Sequence, residues 1–435
     1  MADPTPPTPP FASGASRVVD DEVEHLFRRQ SGRLVAYLTR VFGPARLDLA
    51  EDVVQEALLK ALQQWPFIGV PDNAAAWLLT VARNLALDRV RRDVSWANRE
   101  ADVARSLDVE TGAHGATAAL GRELADDELH LVFLCCHPAI PFESRVALTL
   151  KTAAGFSVNE IARALLTSPP TIAQRLVRAK RSLRDAGATF GPPIGRELVA
   201  RLDAVLDVLY LMFNEGYAAT EGERLIREDV CFEAIRLCTL VADGPGEGRP
   251  DAHALLAMMQ LQAARLRARV DEHGELAILA DQDRRLWDRR LIACGMERLA
   301  RSASGDHESR YHLQAAIAAG HASAPSFAET DWPTMLELYD RLLATAPSPV
   351  VALNRVVALA HVAGARAALG ELDIIASDPA LGRYYLAPAV RGYLHTQLGD
   401  VDAARDAYEH ALRLPCSEPE RRLLERRLAR LDTDA

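Results

Sequence analysis

Ser157-Val-Asn-Glu-Ile-Ala-Arg-Ala-Leu-Leu166, followed by Thr167-Ser-Pro-Pro-Thr-Ile-Ala-Gln-Arg-Leu-Val-Arg-Ala-Lys-Arg-Ser-Leu-Arg184, decides how this chain is read. The first stretch is a short amphipathic helix. The second opens with Ser168, a residue that caps helix N-termini. Pro169 and Pro170 fit a first turn, where backbone N–H groups have no intrahelical partner. Ile172, Leu176, Ala179 and Leu183 then recur at helical spacing as one apolar stripe. At 100° per residue Thr171, Gln174, Arg178 and Arg181 fall on the opposite side, with Arg175 flanking them. The pattern predicts a helix-turn-helix. Its outer face suits a DNA major groove, because Arg pairs bidentately with guanine and Gln with adenine, at about 1–3 kcal/mol of base discrimination each. Lys180 and Arg184, nearer the edge, are placed for phosphates, which position without specifying.

Charge agrees once it is divided along the chain. The net charge of -10 is unusual for a DNA binder, but residues 1–190 hold 22 Lys and Arg against 23 Asp and Glu, and the remainder 28 against 37. From Ile161 to Arg184 the sequence carries Arg163, Arg175, Arg178, Lys180, Arg181 and Arg184 and no acid. That local sign is the electrostatic footprint of interest.

Outward from this motif the patterning is helical almost throughout. Ala, Leu and Arg dominate, and strand-like alternation between Asn-Gly or Asp-Gly turns is absent, so the predicted fold is all-α. With 435 residues, several domains are expected. We delimit a Pro-rich tail (1–20), a first helical block (21–93), a linker (94–125) containing Gly112, Gly115 and Gly121, the helix-turn-helix block (126–188), and a larger helical block (189–435). In the last block Leu202, Val205, Leu206, Leu209 and Phe213 form a helical stripe that Gly216 is placed to close in a left-handed conformation. Gly399-Asp-Val-Asp-Ala-Ala404 with Tyr408, Ala411 and Pro415 resembles one tetratricopeptide repeat, and Val350–Leu372 a degenerate neighbour. Such units are stable only when stacked.

The first block adds a second motif pair. In Asp52-Val-Val-Gln-Glu-Ala-Leu-Leu-Lys-Ala-Leu62, Val53, Ala57 and Leu58 make a buried stripe, while Asp52, Gln55, Glu56 and Lys60 stay on a polar face able to dock on a protein. In Trp77–Arg92, Trp77, Leu78, Val81, Leu85 and Val90 form the core side. Arg83, Asn84, Asp88, Arg91 and Arg92 point outward.

Other chemistries find little support. No run of about eighteen apolar residues occurs, and no basic n-region precedes an apolar segment, so neither a membrane span nor export is expected and the predicted location is the cytoplasm. Six cysteines without a CxxC pair argue against a disulfide framework or zinc ribbon. Cys135-Cys136-His137 lacks a second ligand cluster, and Gly244-Pro-Gly-Glu-Gly248 lacks the Lys-Ser/Thr of a phosphate loop. Neither GxSxG nor HExxH is present. No enzyme, cofactor or metal is predicted.

In combination the quoted segments resemble the extracytoplasmic-function (ECF) sigma factors of bacteria: DVVQEALLKAL and WLLTVARNLALDRVRR are similar to their region 2, FESRVALTLKTAAGFSVNEIARALL and TIAQRLVRAKRSLR to their region 4. The resemblance implies docking on the β′ clamp helices of core RNA polymerase by Asp52, Gln55 and Glu56. It implies contact with the -10 promoter element by Asn84, Asp88, Arg91 and Arg92, with Asp72 or Asn73 in the loop that captures a flipped base. Recognition of the -35 element falls to Thr171, Gln174, Arg175 and Arg178, with Lys180 and Arg181 beside them. Pro170 stands where many members have Gly, and Gln174 where Ser is frequent. Residues 189–435 resemble the tetratricopeptide-like extension of one group of these factors, through Tyr210-Leu-Met-Phe-Asn-Glu-Gly-Tyr217, Asp281-Gln-Asp-Arg284, Leu313–Ala318, Thr330-Asp-Trp332 and Ser348–Asn354. This implies regulation by the appended block, through a protein or small-molecule partner. Its polar residues Asn214, Glu215, Gln282, Asp283, Gln314, Asp331 and Asn354 read first as helix caps and interhelix hydrogen bonds. A rival reading is a plain helix-turn-helix regulator with a sensing repeat domain, which has no use for the Asp52–Leu62 face.

Overall fold

The computed structural model describes residues 30–92, 117–165, 167–191, 193, 195–217, 227–271, 275–304, 307–379 and 381–433. The Pro-rich tail and most of the expected linker lie outside these residues. Apart from one isolated bridge between Val270 and Leu276, the described chain is helical. It divides into two compact units, residues 1–163 with 167–208, and residues 209–435 with 164–166.

In the first unit, α1 (residues 30–42) buries Leu34, Val35, Leu38 and Phe42. It ends at Gly43, whose φ of 85° suits glycine and whose N–H donates to the Thr39 carbonyl at 2.9 Å. α2 (Leu47–Ile68) and α3 (Ala74–Arg92) pack on each other, with Trp65 meeting Trp77 edge-on at 5.5 Å between ring centroids. The buried line of α3 is Leu78, Ala82, Ala86 and Val90, spaced four apart. Trp77, Val81 and Leu85, expected in the core, are only half-buried, as is Leu58 of α2. Alanines let two helix backbones approach closely, so the small residues take the centre and the larger ones flank it.

α4 (Thr117–Cys135) begins inside the segment assigned to the linker and runs through Gly121. Then come α5 (Phe142–Thr152), α6 (Val158–Ala164) and α7 (Pro169–Asp185). Cys135 and Cys136 are buried. Burial raises both thiols, Cys136 to about 12, so they are inert core residues. The two helical blocks of this unit touch directly. Gly32 of α1 lies so near the Ala153 carbonyl that a Cβ would stand 2.0 Å from its oxygen. Arg33 pairs with buried Glu128, and Arg40 with buried Asp127 at 2.9 Å.

α8 (Arg196–Tyr217) follows. Gly216 does not end it: the helix continues through Tyr217, and Gly216 is where a Cβ would strike the Cys231 backbone and thiol at 2.9 Å. The glycine serves close helix approach, not a left-handed cap.

The second unit is a chain of helices, α9 (Glu228–Ala242), α10 (Pro250–Ala263), α11 (Arg289–Ser302), α12 (Arg310–Ser323), α13 (Trp332–Thr345), α14 (Pro349–Ala363), α15 (Ala365–Ile375), α16 (Leu386–Gln397), α17 (Val401–Arg413) and α18 (Glu418–Thr433). Each packs on the next, and α10, buried on nearly all sides, also meets α12. At the repeat-like motif Gly399 turns the chain with φ 74°, and Asp400 caps α17 by accepting the Ala403 N–H at 3.2 Å. Ala404, Ala407, Tyr408 and Ala411 face inward, the Tyr408 ring resting on Gly392 of α16. Among the described residues no helix is long and apolar enough to cross a membrane.

Candidate nucleic-acid interface

The two-helix motif forms as its sequence predicts. Ser157 and Glu160 cap α6 reciprocally: the Glu160 carboxylate accepts the Ser157 N–H at 2.8 Å, and the Ser157 hydroxyl accepts the Glu160 N–H at 3.2 Å. Gly155, at φ 72°, turns the chain into it. Ser168 caps α7, accepting the Thr171 N–H at 3.3 Å and sharing a hydroxyl hydrogen bond with Thr171 at 2.8 Å. Ile172, Leu176, Ala179 and Leu183 are all buried and seat α7 against α5. Burying each leucine or isoleucine contributes about 1.5–3 kcal/mol, enough to fix which face turns outward.

On that outward face Gln174, Arg178 and Arg181 are exposed and Thr171 is half-buried. Arg175 leans aside to pair with Glu143 at 2.8 Å. Lys180 sits differently from the phosphate-facing edge expected for it. Its side chain is 12 % exposed, and the ammonium donates to Asp48 at 2.6 Å and Glu51 at 2.7 Å, both on α2. Glu51 also accepts the Thr152 hydroxyl at 2.7 Å, and Arg184 reaches Asp48 at 3.1 Å. Burial alone would lower the ammonium's pKa, but the Glu51 charge and the hydrogen bonds to both carboxylates outweigh it and raise it. Burial likewise works to raise Asp48, and Lys180 and Arg184 overcome it and hold the carboxyl below its ordinary value.

On α3, Asn84, Asp88, Arg91 and Arg92 are exposed and share one side, continuous with Thr80. In the preceding loop Asn73 caps the helix, its side-chain oxygen accepting the Ala76 N–H at 3.0 Å, and Asp72 is exposed. Sequence reasoning passed over two neighbours: Phe67 is 88 % exposed and Val70 64 %. A phenylalanine outside the apolar stripe of α2 was the available signal.

On α2, Asp52 and Gln55 are exposed and Glu56 half-exposed. Arg89 of α3 crosses to Glu56 at 2.9 Å and Asp52 at 3.4 Å. Leu59 and Leu62, 58 % and 52 % exposed, complete the same face. A mixed polar and leucine stripe left outside the core has the composition of a protein-docking surface.

Sequence comparison bears on both surfaces. Residues 26–95 match the family model for sigma-70 region 2, and residues 130–183 that for sigma-70 region 4. The chain is 33% identical to the ECF RNA polymerase sigma factor SigL of Mycobacterium tuberculosis over 40% of its own length and 92% of that protein. The chain belongs to the ECF RNA polymerase sigma factors. A second relative, the ECF RNA polymerase sigma factor EcfG of Rhodopseudomonas palustris, is 33% identical over 33% of this sigma factor and 77% of its own length. Membership in this family implies binding to core RNA polymerase and promoter DNA, and it sets aside the plain-regulator reading, which needs no region 2. The family is not enzymatic.

The C-terminal half of this sigma factor has different relatives. Residues 201–303 match a family of unknown function (DUF6596). An uncharacterized protein of Rhizobium meliloti is 39% identical over 86% of this chain and 88% of its own, so the extension is shared along with the sigma regions. No solved structure matches the chain. Within the extension Asp283 and Asp331 are helix caps, accepting N–H groups of Arg285 at 2.9 Å and Thr334 at 3.2 Å. Gln314 donates to the Tyr210 hydroxyl at 3.1 Å. Asn354 is exposed, and burial raises the Glu215 carboxyl. Gln282 is buried with its side-chain oxygen unpartnered.

Proposed function

We propose that this sigma factor reads the -35 element with Thr171, Gln174, Arg175 and Arg178, supported by Lys180 and Arg181. The -10 element is read with Asn84, Asp88, Arg91 and Arg92, and the loop carrying Asp72 and Asn73 takes the flipped base. The β′ clamp helices are met by Asp52, Gln55 and Glu56, together with Leu59 and Leu62. The observation that carries this reading is the division of α7, whose apolar stripe is buried while Gln174, Arg178 and Arg181 stand exposed on the opposite side. Phe67 joins the -10 surface, since an unstacked base needs an aromatic platform and such stacking is worth about 1–3 kcal/mol per base. For Lys180, Arg184 and Arg175 to serve DNA, each exchanges a carboxylate for a phosphate or a base edge.

The C-terminal helical half, tetratricopeptide-like in the packing of Gly392 and Tyr408, regulates this activity. Run-off transcription with purified core enzyme and a genomic fragment library tests the whole reading. Alanines at Asp52, Gln55 and Leu59 are expected to abolish core binding while leaving promoter fragments bound by the isolated factor. Deleting residues 190–435 is expected to change transcript yield without abolishing core binding. Loss of core binding in a soluble, folded truncation contradicts the assignment of the docking face.

A further inference from the structure

The C-terminal unit is the acidic part of the chain, yet its half-buried Arg265, Arg269 and Arg284 form no ion pair among the described residues. Arg269 is half-buried, donates to the Tyr217 carbonyl, and lies 4.0 Å above the Tyr217 ring. Arg265, one turn earlier, spends its Nε and Nη2 on the Gln262 side chain at 3.1 and 2.7 Å. Arg284 uses Nη1 on the carbonyls of His321 and Ala324, at 2.7 and 2.6 Å, and sits 4.5 Å over Trp287. The two carboxylates whose field reaches them are engaged elsewhere, Glu329 with the Ser326 hydroxyl at 2.7 Å and Glu420 with the Ser417 hydroxyl at 2.7 Å.

Around these cations a set of buried polar atoms has no partner: Arg284 Nη2, Trp287 Nε1, His321 Nδ1 and the Tyr217 hydroxyl. Trp287 is more than nine-tenths buried. The guanidinium nitrogen and the indole can only donate, and the other two donate in one of their forms. Burial first, then the charges of Arg265 and Arg284, push the His321 imidazole down to about 3, so it is neutral at physiological pH. An unpaired buried donor is costly and an unpaired buried charge more so, and one group that accepts several hydrogen bonds and carries negative charge relieves both.

We propose that the Arg265–Arg284–His321 cluster is a binding site for the oxyanion group, phosphate or carboxylate, of a small metabolite. The inference deepens the regulatory reading of the C-terminal half. Its test reads binding and not transcription, so failure of one is distinguishable from failure of the other.

Calorimetric titration of the full chain with inorganic phosphate and, separately, succinate, at ionic strength held constant with chloride, measures the site directly. Saturable binding at one equivalent is expected for at least one probe. Response to phosphate alone assigns a phosphorylated ligand, and response to succinate alone a carboxylate. Arg284→Gln and Arg265→Gln each weaken that binding at least tenfold, whereas Arg178→Ala, on the DNA-reading helix, leaves it unchanged. The thermal midpoint of the unaltered protein, higher in the bound probe than in chloride, gives a readout that needs no variant. The proposal is overturned if neither probe binds saturably, or if Arg178→Ala removes the binding and Arg284→Gln does not.

Discussion

Replacing Lys180 by methionine keeps the stem of the side chain and deletes the charge that joins α7 to α2. In the native arrangement the ammonium donates to Asp48 at 2.6 Å and Glu51 at 2.7 Å. Breaking a buried ion pair by removing one partner costs about 3–5 kcal/mol. Two facts reduce that range here: Asp48 is more than half exposed and regains water, and Glu51 keeps the Thr152 hydroxyl at 2.7 Å. A loss of about 2–3 kcal/mol is therefore expected, concentrated in the first unit, and at about 1.4 kcal/mol per decade it corresponds to roughly 30- to 150-fold. Hydrogen exchange followed by mass spectrometry on the full chain reads this locally. Peptides from α7 and the start of α2 should exchange faster by that factor, and peptides from residues 228–433 should be unchanged. Adding Glu51→Gln should return part of the loss, because no carboxylate is then left buried without its cation. The pH dependence has a definite sign. Asp48 is lowered in the folded state, so its contribution is present above the unfolded carboxylate value near ~3.9 and disappears as pH falls through the lower folded value. Lys180 is raised, so its contribution holds below ~10.4 and is lost as pH rises through the folded value. Unchanged α7 exchange in Lys180→Met, at neutral pH and low salt, refutes the view that this ammonium holds the helix in place.

Three further outcomes can be checked separately. Arg178→Ala should lower selectivity at one -35 position by about 1–3 kcal/mol, seen in binding to a randomised promoter library as relaxed preference there and nowhere else. Phe67→Ala should reduce promoter opening, reported by 2-aminopurine fluorescence in the -10 element, by up to about 1–3 kcal/mol while leaving core binding intact. Gly392→Ala places a methyl 2.8 Å from the Tyr408 ring and should cost about 1–3 kcal/mol in calorimetric unfolding of the C-terminal unit, with Tyr408→Leu as a partial rescue.

What could be read from sequence was local. The Ser168 cap, the Pro169–Pro170 first turn and the stripe Ile172–Leu176–Ala179–Leu183 all depend on neighbours within a few residues, and each is present in the structure. Pairings that close over long stretches of chain were not legible. Nothing near Lys180 in the sequence announces Asp48 and Glu51, which lie on another helix of another block. The same holds for Gly216, whose sequence context suggests a helix stop and whose true constraint is Cys231. In α3 the periodicity was right but its phase was biased toward large residues, and the alanines at 82 and 86 lie on its buried line. The proposed docking face was half visible: its charges stood out, whereas Leu59 and Leu62 drew no notice until the helix was seen with one side open.

Position 32 gives the first unit an unusual handle. With the Ala153 oxygen 2.0 Å from where a methyl carbon would sit, and ordinary contact beginning near 3.4 Å, alanine there acts as a wedge a little over an ångström thick. It alters no charge, no hydrogen-bonding group and no nucleotide-facing atom. Gly32→Ala thus offers a neutral way to pry α1 from its seat, and to ask how much of the factor's behaviour depends on the two helical blocks of the first unit resting together.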